Sequence, residues 1–171
     1  WGFPPGAVLV KNFYLDLEQG NPESRRIVET RFLVKRDQGD QWDGFSYQWN
    51  AEGTEAALLT GSATEGFTIA DPAAPGGSYV HEHYFPSRVE CAVCHTEAAG
   101  QVLGVHTAQL NGEYDYGSVR DNQLRTLNHL RLFSEEIGPV RASWPRLAAP
   151  RAAEPQAADH PELLLDRTRE L

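Results

Sequence analysis

Residues 27–35 read IVETRFLVK. Val28, Thr30, Phe32 and Val34 fall on one side of an extended chain, and Ile27, Glu29, Arg31 and Leu33 on the other. Period-two alternation rich in branched and aromatic residues is the signature of a strand, and it sets the first half of the chain as β. Toward the N-terminus, GAVLVKNFYL (6–15) is a second strand, opened by the Pro-Pro-Gly turn at 4–6. Toward the C-terminus, QGDQWDG (38–44) is a turn, and GFSYQWN (44–50) is a third strand rich in aromatics. GTEAALL (53–59) is ambiguous between helix and strand, GFTIAD (66–71) is a short strand, and DPAAPGGS (71–78) is a loop.

The character changes at residue 87. SRVECAVCHTEAAG (87–100) predicts a short helix, with Ser87 as N-cap and Glu90 at capping-box spacing. DNQLRTLNHLRLFSEEIG (121–138) predicts a longer one. Asp121 caps it, Leu124, Leu127 and Leu130 share a face, and Gly138 with Pro139 stops it. Residues 139–160, rich in alanine and proline without periodicity, read as an extended surface segment or linker. PELLLDRTREL (161–171) reads as a last helix with Pro161 in its first turn. The expected fold class is α+β: an antiparallel β-rich N-terminal half, a haem-bearing helical C-terminal half and an extended tail. The expected division is a β-rich c-type haem domain at 1–138 and, at 139–171, an extended tail with a short helix that is either a surface segment or a linker to a missing domain.

A chain of 171 residues, 40% of them hydrophobic and 23% charged, has the composition of an ordinary globular domain with a real core. The net charge of -9 excludes the basic face that nucleic-acid binding needs, and it suits a basic protein partner. No apolar run reaches the length of a membrane span. The chain opens on Trp1 rather than methionine, which fits a processed protein or a piece of a longer one and leaves export open.

The only two cysteines stand in ECAVCH (90–95), with His95 directly after the second. Two thiols three apart and an adjacent imidazole match the attachment site of a c-type haem. One helical turn carries Cys91 and Cys94 to vinyl groups on neighbouring pyrroles, and His95 then sits under the iron as proximal ligand. Two plainer readings compete: a disulfide or redox pair, for which the flanking βαβ pattern is missing, and a zinc site, for which distant histidines would have to complete the ligand set. The expected cofactor is therefore one covalent haem c. In bacteria that attachment takes place outside the cytoplasm, so the expected location is periplasmic or extracellular.

For a second axial ligand the chain offers no methionine. The remaining histidines are His81, His83, His106, His129 and His160. His83 is the first choice and His106 the second. His81 and His83, placed on a strand, share one face. For each alone, a surface or hydrogen-bonded histidine is the plainer reading. A five-coordinate iron is the other option, with Phe13, Tyr14, Phe45, Tyr47 and Trp49 as an aromatic wall, although core packing explains those residues as well. Lys11 follows the apolar run AVLV. It reads first as a solvent-facing lysine and second as a distal-side group, because a desolvated lysine can turn neutral and bind or react.

The string YFPSRVECAVCHTEAAGQVLGVHTAQLN (84–111), followed by DNQLRTL and LF, resembles a family of bacterial c-type cytochromes with the signature PSR-x-EC-x-x-CH, LG, QLN and NQL. WGFPPGAVLVKNF, ETR at 29–31 and WDGFSYQWN resemble that family's β-rich front half, so the likeness covers most of residues 1–135. The resemblance implies haem roles for Cys91, Cys94 and His95. It also implies attachment to oxidoreductase or sugar-binding modules, and in some members a second haem motif after a segment like LLLDRTREL, so the resemblance suggests either a fragment of a longer multi-haem protein or a product cut before a second cytochrome domain. A weaker similarity, in the order FPPGAVLVK, FLVKRD, Trp-Gly strand and haem motif, is to the β-sheet cytochromes called c-prime-beta. Those are five-coordinate and bind or oxidise small nitrogen compounds, and Lys11 stands at the position of their lysine cross-link. Three functions follow as expectations: single-electron transfer between redox partners, a small-ligand haem site, or a subunit of a larger, self-assembling haem complex.

Overall fold

The structure is a computed structural model describing residues 1–140 and 143–147. The expected linker beyond residue 147 and the helix at 161–171 lie outside the described residues. The chain divides into two compact units, Trp1–Val105 and a second beginning at His106.

The first unit is built on an antiparallel meander of β1 (Val8–Asp16), β2 (Arg25–Lys35), β3 (Trp42–Trp49) and β4 (Ala56–Leu58), paired in that order. A hairpin of β5 (Ala63–Ala70) and β6 (Ser78–Phe85) forms a second sheet. The hairpin is stitched to the segment that follows β1 by Gln19 N–H donating to the Ala70 carbonyl (2.8 Å) and Ala70 N–H donating to that of Leu17 (2.8 Å). The ambiguous segment 53–59 resolves as the short edge strand β4.

The alternation expected for 27–35 breaks at one point. Phe13 pairs with Glu29 and Tyr14 with Ile27, so Val28 is the extra residue of a β-bulge. A bulge turns two successive side chains toward the same side and bends the strand. Val28 accordingly leaves the face of Thr30 and joins Phe67, Ile69 and Phe85 in the core, while its neighbour Glu29 reaches His83 of β6. Burying each of those apolar side chains stabilises the unit by roughly 1.5–3 kcal/mol. On the other face, the Trp49 indole donates to the Thr30 hydroxyl (2.9 Å), which donates to Asn12 Oδ1 (2.7 Å).

Helix α1 (Arg88–Cys94) follows β6 directly. It starts where expected: Ser87 Oγ accepts from Glu90 N–H, and the Glu90 carboxylate accepts from Ser87 N–H (2.8 Å). It packs against β3, where a Cβ on Gly44 would lie 2.6 Å from Cys91 Cβ. Only glycine lets helix and strand approach that closely.

The expected helical C-terminal half is not what forms. Among the described residues, the second unit holds α2 (Thr107–Leu110), a hairpin of β7 (Glu113–Asp115) and β8 (Arg120–Asn122), and α3 (Gln123–His129). The haem motif itself sits on α1, in the first unit. Helix α3 spans seven residues of the eighteen expected, and Asn122, not Asp121, caps it: its Oδ1 accepts from Leu124 and Arg125 N–H. It stops at a Schellman turn. Leu132 N–H donates to the Leu127 carbonyl and Arg131 N–H to that of Asn128, with Arg131 at φ 55°. Leu124 is buried, but Leu130, counted with it by spacing, is the C-cap beyond the last helical residue and is 60% exposed.

Candidate functional site

The site starts from the last turn of α1. Cys91 and Cys94 are free thiols one helical turn apart, Cys91 half-buried and Cys94 exposed. His95 is the C-cap, its N–H donating to the Cys91 carbonyl at 3.0 Å. Its side chain is held from beyond the helix. Gln101 enters a left-handed conformation at φ 62° and brings its carbonyl 2.6 Å from His95 Nδ1. A carbonyl can only accept, so Nδ1 carries a proton, and in the neutral imidazole Nε2 keeps the lone pair. Fixing a histidine by Nδ1–H to a backbone carbonyl is how proteins orient an imidazole that binds metal through Nε2.

Around this imidazole lies a cavity of about 480 Å³, within the size range of small-molecule and cofactor sites. Cys91 and His95 line one side. Leu9, Leu33, Val102 and Val105 supply apolar walls, and Lys11 and Arg31 supply cations. Burial pushes the Cys91 thiol up, and the Arg31 guanidinium opposes this. The resting thiol is therefore protonated at neutral pH rather than a ready nucleophile.

Helix α1 is pinned at its other end by charge. Arg88 donates to Asp43 (3.0 Å) and stacks over Phe45 at 4.5 Å, while Arg36 forks onto the same carboxylate at 2.8 and 2.9 Å. The Arg36 hydrogen bond, with that of Arg88, holds the Asp43 carboxyl at about 2.

Of the residues singled out by sequence, the structure brings Lys11 to the cavity of Cys91 and His95. Lys11 is exposed on β1, as its plainer reading had it, and also lines the cavity mouth. His81 and His83 do share the inward face of β6, their rings 6.1 Å apart. His83, however, is directed elsewhere. Its Nε2 lies 2.9 Å from the carboxylate of fully buried Glu29, and its ring is edge-on to Phe85, Phe13 and Phe67. It does not line the cavity around His95. Nor do Tyr14, Phe45, Tyr47 and Trp49. Phe45 and Tyr47 alternate with Gly44 and Ser46 and so point away from Cys91, and Phe13 packs against the core. His106 is the N-cap of α2 in the second unit, its N–H donating to Gln109 Oε1 (3.1 Å). His129 lies in the last turn of α3, and His160 is outside the described residues.

Sequence reasoning missed Arg31, Glu29 and Gln101. Arg31 donates to both oxygens of Glu29 (2.6 and 2.8 Å) and lies over the Phe13 ring at 4.3 Å. The pair stands two apart on the face that the alternation already defined, so its signal was present. Gln101 acts through a backbone carbonyl, for which its side chain gives no signal.

The spacing of the three residues is that of a covalent haem site, but only Cys91 and His95 line the cavity; the exposed Cys94 does not. Two sulfurs lie on one helical turn, a tautomer-fixed imidazole follows, and an apolar cavity with cations is at hand. A zinc centre finds less support, since no group of three or more histidine, cysteine, aspartate or glutamate side chains is gathered among the described residues. No helix there is long and apolar enough to cross a membrane. No family model, curated protein or solved structure matches the chain.

Proposed function

We propose that this chain is a monohaem c-type cytochrome that passes single electrons between redox partners outside the cytoplasm. Cys91 and Cys94 are the attachment thiols and His95 the proximal ligand. The observation that carries the reading is the Nδ1–H bond of His95 to the Gln101 carbonyl, which leaves Nε2 available on an imidazole that lines the same cavity as Cys91. When bound, the haem supplies a one-electron iron couple. The chain's residues orient the imidazole, wall the cavity with Leu9, Leu33, Val102 and Val105, and place cations beside it. Without methionine ligation the couple lies at comparatively low potential. With a net charge of -9, basic redox proteins are the partners that fit, and assembly into a larger multi-haem complex is compatible with the motif.

The test is export of the chain through a bacterial cytochrome c maturation system. The expected product has the mass of polypeptide plus one haem and a c-type spectrum, both lost in Cys91→Ala/Cys94→Ala. Recovery of only bare polypeptide overturns the proposal.

A second reading is a five-coordinate haem that binds or oxidises small nitrogen compounds. It is favoured by one observation: His83 is engaged by Glu29 and does not line the cavity. Carbon monoxide then shifts the Soret band of the reduced protein at once. An unmoved band assigns a second internal ligand and removes this reading.

A further inference from the structure

The cavity beside His95 has an unbalanced charge. Arg31 is neutralised by Glu29, which is buried and takes two of the five guanidinium N–H groups. Lys11 has no carboxylate partner among the described residues. Its ammonium lies over Phe13 at 4.7 Å, beside the Arg31 guanidinium on the same ring. The residues lining the cavity include no aspartate or glutamate. Apolar walls around His95, with one uncompensated cation at the mouth and unused guanidinium N–H groups nearby, recognise a ligand that is apolar over most of its surface and anionic at its edge.

We infer that Lys11, assisted by the remaining N–H groups of Arg31, forms a carboxylate-binding site at the cavity mouth that receives the propionates of the porphyrin. The inference rests on the reading that this cavity takes haem. It gives Lys11 the part of an anchoring cation, in place of an iron ligand or a cross-linking amine.

The experiment titrates the reduced full-length apo chain with ferric protoporphyrin IX and, separately, with its dimethyl ester, which keeps the iron, ring and vinyl groups and removes both charges. Soret absorbance gives each affinity. The diacid is expected to bind about tenfold more tightly than the ester, as for one charge-assisted contact. Lys11→Gln is expected to cut that preference severalfold, to what Arg31 alone supplies, and Lys11→Arg to retain it. Circular dichroism checks that each variant folds. If both porphyrins bind wild type with equal affinity, or Lys11→Gln keeps the preference, the inference fails and the haem reading stands. If Lys11→Gln changes the spin state of the bound iron, Lys11 is a ligand and the inference fails. If neither porphyrin binds, the haem reading falls and the inference with it.

Discussion

Helices α1 and α3 are each seven residues long and each has a side-chain N-cap, yet they are held in opposite ways. Helix α3 is anchored by Leu124, which is 1% exposed, and closed by a Schellman turn. Helix α1 buries no residue fully, and its Val89 and Val93 are 79% and 71% exposed. Caps, one salt-bridged arginine and the close contact of Cys91 with Gly44 keep it in place. The lesson is that the chemistry-bearing helix is the one that gains least from the polypeptide's own core. Of its two thiols, Cys94 is left exposed while Cys91 is half-buried against Gly44, so little of the helix's surface is spent on packing.

The contrast can be broken most forcefully at Leu124. Leu124→Ala is expected to destabilise the second unit by about 3 kcal/mol, as for a large-to-small change at a buried site. Denaturant unfolding measures this, and the alkylation rate of Cys91 should stay unchanged. A faster rate at Cys91 would show that the two helices do not depend on separate anchors.

Gly44→Ala tests the other side. The new methyl would have to occupy space within 2.6 Å of Cys91 Cβ, so α1 must shift, at a cost of about 1–3 kcal/mol. Here the Cys91 thiol is expected to alkylate faster while α3 keeps its hydrogen-exchange protection. Unaltered reactivity would mean that α1 is not seated on β3 as described.

The smallest effect is electrostatic. Asp43 has a depressed carboxyl, so its pairing with Arg36 and Arg88 stabilises fully above the carboxylate's unfolded range and is lost as pH falls toward about 2. Amide signals of Val89 and Val93 are expected to move over that acid window in wild type. In Asp43→Asn they should not, because the group that titrates is gone. Identical titrations in both proteins would assign the transition to another carboxylate.

Much of the candidate site was legible because its parts are adjacent in sequence. Ser87 and Glu90 signal the helix start, and ECAVCH places two thiols and an imidazole within one turn and a cap. Strand β2 was legible from alternation up to the bulge. The extra residue was not, since it arises from pairing with β1, which local periodicity does not encode. The length of α3 was overread for a related reason. Leucines at 124, 127 and 130 satisfy a helical pattern, but Arg131 takes a left-handed conformation that the pattern does not forbid.

By itself, then, the sequence determined the β character of the front half, the cap of α1 and the chemistry available in residues 91–95. Each of these depends on neighbours within about one turn or one pleat, where local sterics and hydrogen bonding dominate. Only the tertiary structure decided that Lys11 shares a cavity with His95, that His83 is taken by Glu29, and that Gln101 sets the imidazole's tautomer. Two of those three join residues more than fifty positions apart. Strand pairing, the bulge and the packing of hairpin and helix on the sheet together bring such residues within reach, and no local pattern carries that information.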